Sequence, residues 1–595
     1  MATVVRHEEE EFLGRAYDAR LMRRLITYLT PHRAVIAGSA TLLVVTSGLE
    51  VLRPYLLKVA IDSYIVPAHL EGLWGLALLY LGILALEGGV RYVQLILTHW
   101  TGQRVMADVR LEIFRHLKRL PLRYFDRNPA GRIFTRVTSD VENLKELFTS
   151  GLVSAFGDLL TAAAIVAAML YLDLKLSLIA FTILPLLIGA VLLFQKKARG
   201  AYRLIRQKVS RLNAFLQESL NGMEVIQAFG REDAMATRFS PVNAEHREAT
   251  LRALLYYALF YPAIEVIGAL GLGLIIWYGG GQVVQQTITL GILVAFLEYL
   301  QRFLSPIRDL SEKYYVMQSA MASSERIFDL LDEAPEPDGN GHRMRSLRGA
   351  IEFKDVWFAY RPGENVLKGL SFTVEPGERV ALVGATGAGK STVVNLLTRL
   401  YEIERGAILV DGRDIRGLDL TALRRRIGLI PQDPFLFSQS VATNLQVGHG
   451  VSPEEVRRSL ELAGAAPLID RLPAGLESRL AERGASLSMG ERQLIGLARA
   501  LVYAPDILIL DEATSNVDAA TEAEFSRRLR KLTTGKTVLT IAHRLKSAAE
   551  ADRILVLHHG ELAEKGTHQE LLASGGLYAR LWQLQHDGHY DAKEE

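Results

Sequence analysis

The chain contains no cysteine. That excludes disulfides, thiol nucleophiles and cysteine-based metal sites. An excess of one charge is also missing. The 68 Lys and Arg residues against 66 Asp and Glu leave a formal net charge of +2, which gives no argument for a nucleic-acid partner. A basic-then-apolar leader is absent as well. The N-terminus carries the acidic run His7-Glu8-Glu9-Glu10-Glu11, so this end is expected to stay in the cytoplasm. What the sequence has in abundance is apolar residues, 49% of its 595 positions. The length prior suggests about four domain-sized units.

The apolar residues of the first half fall into six stretches of membrane-spanning length: Ala34 to Ile65, Leu73 to Trp100, Leu152 to Leu172, Leu176 to Phe194, Leu254 to Tyr278 and Leu290 to Leu310. In the first, Glu50, Arg53, Lys58 and Asp62 crowd the far end, which is expected to stand outside the hydrocarbon. The short connections near Ile65–Gly72, Leu172–Lys175 and Gly279–Thr289 are nearly free of Lys and Arg. Arg104–Lys145 and Lys196–Arg252 hold about ten basic residues each, which places them on the inner side. A multi-pass protein of the cell's inner (plasma) membrane with both termini cytoplasmic is expected. Residues 1–33 read as a cytoplasmic end, with an amphipathic helix over Ala16–Leu29 whose polar side carries Arg20, Arg23 and Arg24. Such a helix suits the membrane surface.

The two basic segments are too long for turns, and their pattern is helical. About 25 helical residues beyond the bilayer would project roughly 35–40 Å. The breaks at Asp126–Gly131 and Ala228–Glu232 make them paired levers with tips. Phe125, Asp126, Phe229 and Arg231 are the candidates for coupling to a cytoplasmic partner. Within the spans, Glu87 and Arg91 stand four apart and are expected to pair, and Glu298 and Arg302 sit together. Glu265 has no such neighbour and is the candidate for a cavity-facing residue.

After residues 34–330, the stretch 331–349 reads as a linker by composition. From Ala350 the pattern becomes that of an α/β domain, 350–586, followed by a tail at 587–595. Here Arg379–Val383 is an apolar run of strand length, and Thr392–Leu397 can continue as a helix. Between them lies Gly384-Ala385-Thr386-Gly387-Ala388-Gly389-Lys390-Ser391, which fits G-x-x-x-x-G-K-[ST]. In that context backbone N–H groups wrap phosphates, Lys390 bridges the outer oxygens and the Ser391 hydroxyl ligates Mg²⁺. Further on, Ile507–Leu510 is a buried-type strand ending in two acids. Asp511 can hold the Mg²⁺ shell, and Glu512 is placed to polarise the attacking water.

These residues carry a specific resemblance. The second half resembles an ABC-transporter nucleotide-binding domain, and nearly the whole chain after the first fifteen residues is similar to an ABC exporter half-transporter. The fold class implied is multi-domain: an all-α six-helix transmembrane domain with long cytoplasmic helical extensions, then an α/β P-loop ATPase domain. Tyr360 matches the aromatic that stacks on adenine. Gln432 matches the glutamine that senses Mg²⁺ and His543 the switch histidine, completing a catalytic set with Glu512. Asp518 matches the loop that communicates between two sites. The family signature is Leu-Ser-Gly-Gly-Gln; here Leu487-Ser488-Met489-Gly490-Glu491 keeps the serine and one glycine but brings in a bulky side chain and a carboxylate. In the family, ATP lies between one chain's phosphate loop and the other's signature.

An altered signature beside an intact catalytic glutamate implies a heterodimer with a second half-transporter, favoured over a homodimer. The function implied is ATP-driven efflux of hydrophobic or amphipathic compounds, drugs or lipids, by alternating access. A homodimeric flippase for lipid A or phospholipid is the alternative. The six spans oppose a soluble ABC ATPase of repair or translation.

Overall fold

The computed structural model describes residues 18–69, 71–337, 346–446, 451–511, 532–542 and 545–587. By contact these fall into two compact units. One comprises the described residues of Met1–Lys118 and Ala130–Glu333, the other Arg119–Pro129 and those of Ala334–Glu595.

The first unit is helical throughout. Helix α1, Ala19–Leu29, is capped by Asp18, whose carboxylate accepts the backbone N–H groups of Arg20 and Leu21. It buries Met22 and Leu25. The long helices are α2 (Arg33–Ala60), α3 (Leu73–Leu117), α4 (Ala130–Leu172), α5 (Leu174–Asn221), α6 (Glu232–Val284) and α7 (Leu290–Asp332). At 45 residues, α3 spans about 68 Å, more than twice the hydrocarbon core of a bilayer. Each long helix therefore combines a span with a lever. The sequence also sets the breaks: Asn128-Pro129 stops the helix Leu122–Arg127, and Gly230, at φ +55°, ends Met223–Ala228.

Among the described residues, five helices are both long and apolar enough to cross a membrane: α2, continuous with α1 and extending to Ile65, and α3 to α6. The sixth expected span lies on α7, which is 43 residues long. Its hydropathy is diluted by Glu298, Arg302, Arg308, Asp309, Glu312 and Lys313.

Charged residues inside the spans find partners that local spacing did not reveal. Glu87 is buried and pairs with Arg53 of α2 at 3.3 Å, not with Arg91. Asp62 accepts the Gly291 N–H at 2.8 Å and the Thr289 hydroxyl at 2.6 Å, satisfying the first turn of α7. The charges at the far end of the first span are thus used inside the unit. Glu298 and Arg302 do pair, at 3.4 Å.

In the levers, Asp140 of α4 is 2% exposed. Its carboxylate accepts from Ser323 Oγ at 2.9 Å and from Arg326 Nε at 3.1 Å, both on α7. The same contact holds the Arg326 guanidinium above its ordinary pKa. Asp140→Ala leaves the arginine and hydroxyl without their acceptor. Because Arg326 is half exposed, the expected cost is about 2–3 kcal/mol. It should appear as a lower thermal midpoint of the detergent-solubilised protein, with Asp140→Asn intermediate.

The second unit is α/β. Strands β1 (Ile351–Ala359), β2 (Asn365–Val374), β4 (Arg405–Val410) and β5 (Arg413–Asp414) form an antiparallel sheet of order β2-β1-β4-β5. A six-stranded sheet has the order β10-β9-β3-β8-β7-β6, with β3 Arg379–Val383, β6 Ile427–Ile430, β7 Ile507–Asp511, β8 Thr537–Ile541, β9 Arg553–His558 and β10 Glu561–Gly566. All its pairings are parallel except β9 with β10. The apolar runs Val380–Val383 and Ile507–Leu510 are buried along their whole length, as strands covered on both faces must be. Parallel pairing brings the C-terminal ends of β3, β8, β7 and β6 to one edge.

Candidate nucleotide site

At that edge β3 runs into the glycine loop. Gly384 (φ +155°), Gly387 (φ +84°) and Gly389 (φ +101°) hold backbone conformations that side chains disfavour. At Gly384 a Cβ would stand 2.3 Å from the Leu557 carbonyl oxygen, so only glycine allows β9 to approach. Gly389 then starts helix α8, Lys390–Leu397. Ala385, Thr386 and Gly387 at the crest are exposed, whereas Ala388 and Lys390 are buried. The Lys390 ammonium donates to the Gly384 and Ala385 carbonyls at 2.7 and 3.0 Å, folding its charge over the loop. Ser391, in the first turn, is exposed. Backbone donors, the helix N-terminus and a buried cation thus converge where a polyphosphate would lie.

Strand register brings the other candidates to the same edge. Leu382 pairs with Ile541, and Ile541 with Asp511. Asp511 therefore ends β7 level with the start of the loop, two strands and about 10 Å across. Ile430 pairs with Leu510, so Gln432 emerges just beyond the same edge. Among the described residues no cluster of three or more His, Asp or Glu side chains forms a metal cage. Ser391, Asp511 and Gln432 fit Mg²⁺ held jointly with phosphate oxygens, the usual protein ligation of that ion. Glu512, Asp518 and His543 lie outside the described residues.

Tyr360 follows β1. Its hydroxyl meets Thr392 Oγ1 at 3.3 Å and accepts from Asn395 Nδ2 at 3.1 Å, both on α8. Its ring stands edge-on to Tyr401 at 5.1 Å. The Tyr401 hydroxyl in turn donates to Asp126 at 2.5 Å, and this bond, with burial, pushes the phenol's pKa up. A lever tip thus reaches the aromatic beside the phosphate loop through one tyrosine. Tyr401 is a residue that sequence reasoning missed; its proximity to Asp126 needs two segments 275 residues apart. Phe125 of that tip is partly exposed, and Phe229 of the other tip is 76% exposed, beside an exposed Arg231.

The signature residues stand on a separate core. Ser488 caps helix α9, Met489–Leu501, through a reciprocal box: Ser488 Oγ accepts the Glu491 N–H, and the Glu491 carboxylate accepts the Ser488 N–H at 2.9 Å and its hydroxyl at 3.0 Å. Arg471 lies 3.6 Å from the same carboxylate. Glu491 therefore points neither to open solvent nor away from the serine. It folds back onto the residue it follows. The Met489 sulfur accepts from Arg492, while Gly490 stays in the first turn. Gly496 approaches Pro434 so closely that a Cβ would meet it at 2.7 Å, and Arg499 donates to the Phe435 carbonyl at 2.7 Å. These contacts tie α9 to the segment after Gln432.

Glu265 is exposed on α6. The buried stripe of that helix is Ile264, Ile267, Gly268 and Gly271, so helical periodicity turns Glu265 off it. It lines neither of the two larger cavities of the helical unit.

Fold and site define a bundle of membrane-spanning helices fused to a P-loop ATPase. Residues 36–307 match the family description "ABC transporter transmembrane region", and residues 367–515 match "ABC transporter". A probable multidrug resistance ABC transporter ATP-binding/permease protein, YheH of Bacillus subtilis (strain 168), is 37% identical over 87% of this chain and 77% of its own length. An ATP-dependent lipid A-core flippase of Syntrophus aciditrophicus (strain SB) is 34% identical over 95% of this chain and 94% of its own. The solved structure of a bacterial Atm1-family ABC exporter with ATP bound superposes with a TM-score of 0.77 at 28% identity, covering 94% of this chain and 99% of that one. The chain belongs to the ABC exporter family, with its transmembrane region and ATP-binding domain in one polypeptide. It is a multi-pass membrane protein that binds ATP and uses it to drive export.

Proposed function

We propose that the cargo is hydrophobic or amphipathic, a drug-like compound or a lipid, exported by alternating access from the inner membrane with both termini cytoplasmic. Similarity to proteins named for multidrug resistance and for lipid A-core flipping supports this class. The single observation that carries the coupling is the contact of Asp126 with Tyr401, beside Tyr360. Closing the nucleotide site moves the tip, and the levers transmit that motion to the spans. Only a difference in ATP affinity between the two states supplies the work. ATP-dependent uptake of a dye or labelled lipid into inside-out vesicles tests the reading. Stimulation by drug alone favours the drug exporter, and by lipid alone the flippase.

At the site, the loop Gly384–Ser391 holds the polyphosphate, Lys390 its outer oxygens, and Tyr360 the base. Mg²⁺, held by Ser391, Asp511 and Gln432, would neutralise phosphate charge. Glu512 positions the water, and His543 contacts the terminal phosphate. Ser488 and Gly490 face the ATP bound to a partner chain, and Asp518 links the two sites. The proposed domains are 34–330 and 350–586, joined by 331–349.

The partner is a second half-transporter, with a different chain favoured. The capping box supports a weakened composite site: it places a full negative charge on a helix N-terminus and engages the Ser488 hydroxyl. Glu491→Gln keeps the acceptor and removes the charge, and Met489→Gly removes the bulk. Together they should raise ATP turnover severalfold; unchanged turnover would show that the box does not limit the site. The native mass of the complex from its own membranes decides the assembly. Two copies of this chain mean a homodimer, and one copy with a different chain a heterodimer.

A further inference from the structure

The helical unit contains a polar chamber of about 650 Å³ bordered by α2, α3, α4 and α7. Its lining includes Glu50, Arg91, Asp158, Arg302 and Lys313 among several hydroxyls. Next to it lies a smaller chamber of about 240 Å³ with almost entirely apolar walls, which include Phe148 and Phe156. The two share Leu43, Thr98 and Val153, so they adjoin.

The charges in the larger chamber do not balance. Asp158 and Lys313 form an ion pair and cancel. Glu50 is left as the remaining carboxylate of the lining, facing the fields of both Arg91 and Arg302. Arg302 is held by Glu298 from outside the lining. Arg91 is exposed into its surroundings, and among the described residues no hydrogen bond or ion pair holds it. An arginine at membrane depth is costly unless it meets an anion or water, and its planar donors suit carboxylate, sulfate or phosphate.

From this juxtaposition we propose that the exported compound is an amphiphilic anion, its charged head received by Arg91 and Arg302 and its apolar tail by the adjoining chamber. This rests on the amphiphile-export reading and narrows it. An apolar cavity of about 150 Å³ already takes benzene, so the smaller chamber suits a short alkyl or aromatic tail. Carboxylate and phosphate-type heads share the chemistry that the arginines recognise.

The test uses the complex from its own membranes, reconstituted in zwitterionic lipid, with four amphiphiles of matched tail: decanoate, decyl phosphate, decyl maltoside and decyltrimethylammonium. ATP turnover is followed against concentration. Half-stimulation is expected at about tenfold lower concentration for one or both anions than for the cation, the pair showing which head is preferred. Arg91→Gln should raise the half-stimulating concentration of the anions by about tenfold or more, with Arg91→Lys between. Equal response to anion and cation in the unmodified complex overturns the proposal while leaving amphiphile export standing, and needs no variant to fold. An unshifted response in well-folded Arg91→Gln also overturns it. Stimulation by none of the four overturns both the proposal and the export reading on which it rests.

Discussion

Glu512→Gln is expected to reduce steady ATP turnover by about a hundredfold or more while ATP still binds. The carboxylate is the one group at this site able to take a proton from, or align, the attacking water; the amide keeps the shape and loses that capacity. Its place follows from its neighbour. Asp511 ends β7 level with Ile541 of β8, so the next residue leaves the strand at the edge where the phosphate loop begins. Phosphate release and nucleotide binding should be measured on the same preparation. Retained turnover would remove Glu512 from catalysis, and loss of both would mean a role in binding.

Lys390→Ala should show the opposite split, with ATP affinity falling first. The ammonium is buried beneath the loop and already placed by two carbonyls, so bringing it onto phosphate oxygens needs little reorganisation. A charge-assisted bond of about 1.5–3 kcal/mol corresponds to about a 10–100-fold weaker complex. Titration calorimetry on the purified protein reads this directly. Unchanged affinity would mean that the loop's N–H groups alone hold the nucleotide. The contrast matters: one variant loses turnover with ATP bound, the other loses the ATP.

The elements that position chemistry were legible because their requirements are local. Glycines at 384, 387 and 389 serve a loop whose backbone angles exclude other residues, and an apolar run ending in Asp511 can only be a buried strand with an acid at its tip. The levers were legible from helical periodicity that continued past the apolar spans. Pairing inside the bundle was not. Arg91 stands one turn from Glu87 and is the obvious partner, yet Arg53 takes that role from another helix. Similarly, Glu265 stands out because it has no neighbour in sequence, while the polar chamber draws its charges from four helices, each with one or two of them.

Glu491 is the case in between. As a departure from the family signature it was visible at once, and its consequence was framed as a choice between facing the triphosphate and facing solvent. The fold takes a third course, in which the carboxylate closes on the Ser488 N–H and hydroxyl and an arginine from another helix stands beside it. The motif Ser-x-x-Glu contains that capping box, so this much could have been read from the chain.

By itself the sequence determined the class of machine: apolar lengths that fit a bilayer, basic residues that set its orientation, and a phosphate loop whose spacing leaves little freedom. These are properties of segments, governed by backbone angles, helical rise and transfer from water. Tertiary structure alone decided who meets whom. It joined Tyr401 to Asp126, gave Glu87 to Arg53, and left Arg91 facing a chamber without a counter-charge of its own. Such contacts depend on the packing of helices distant in the chain, where a rotation of about 100° per residue decides whether a side chain meets a partner or a cavity.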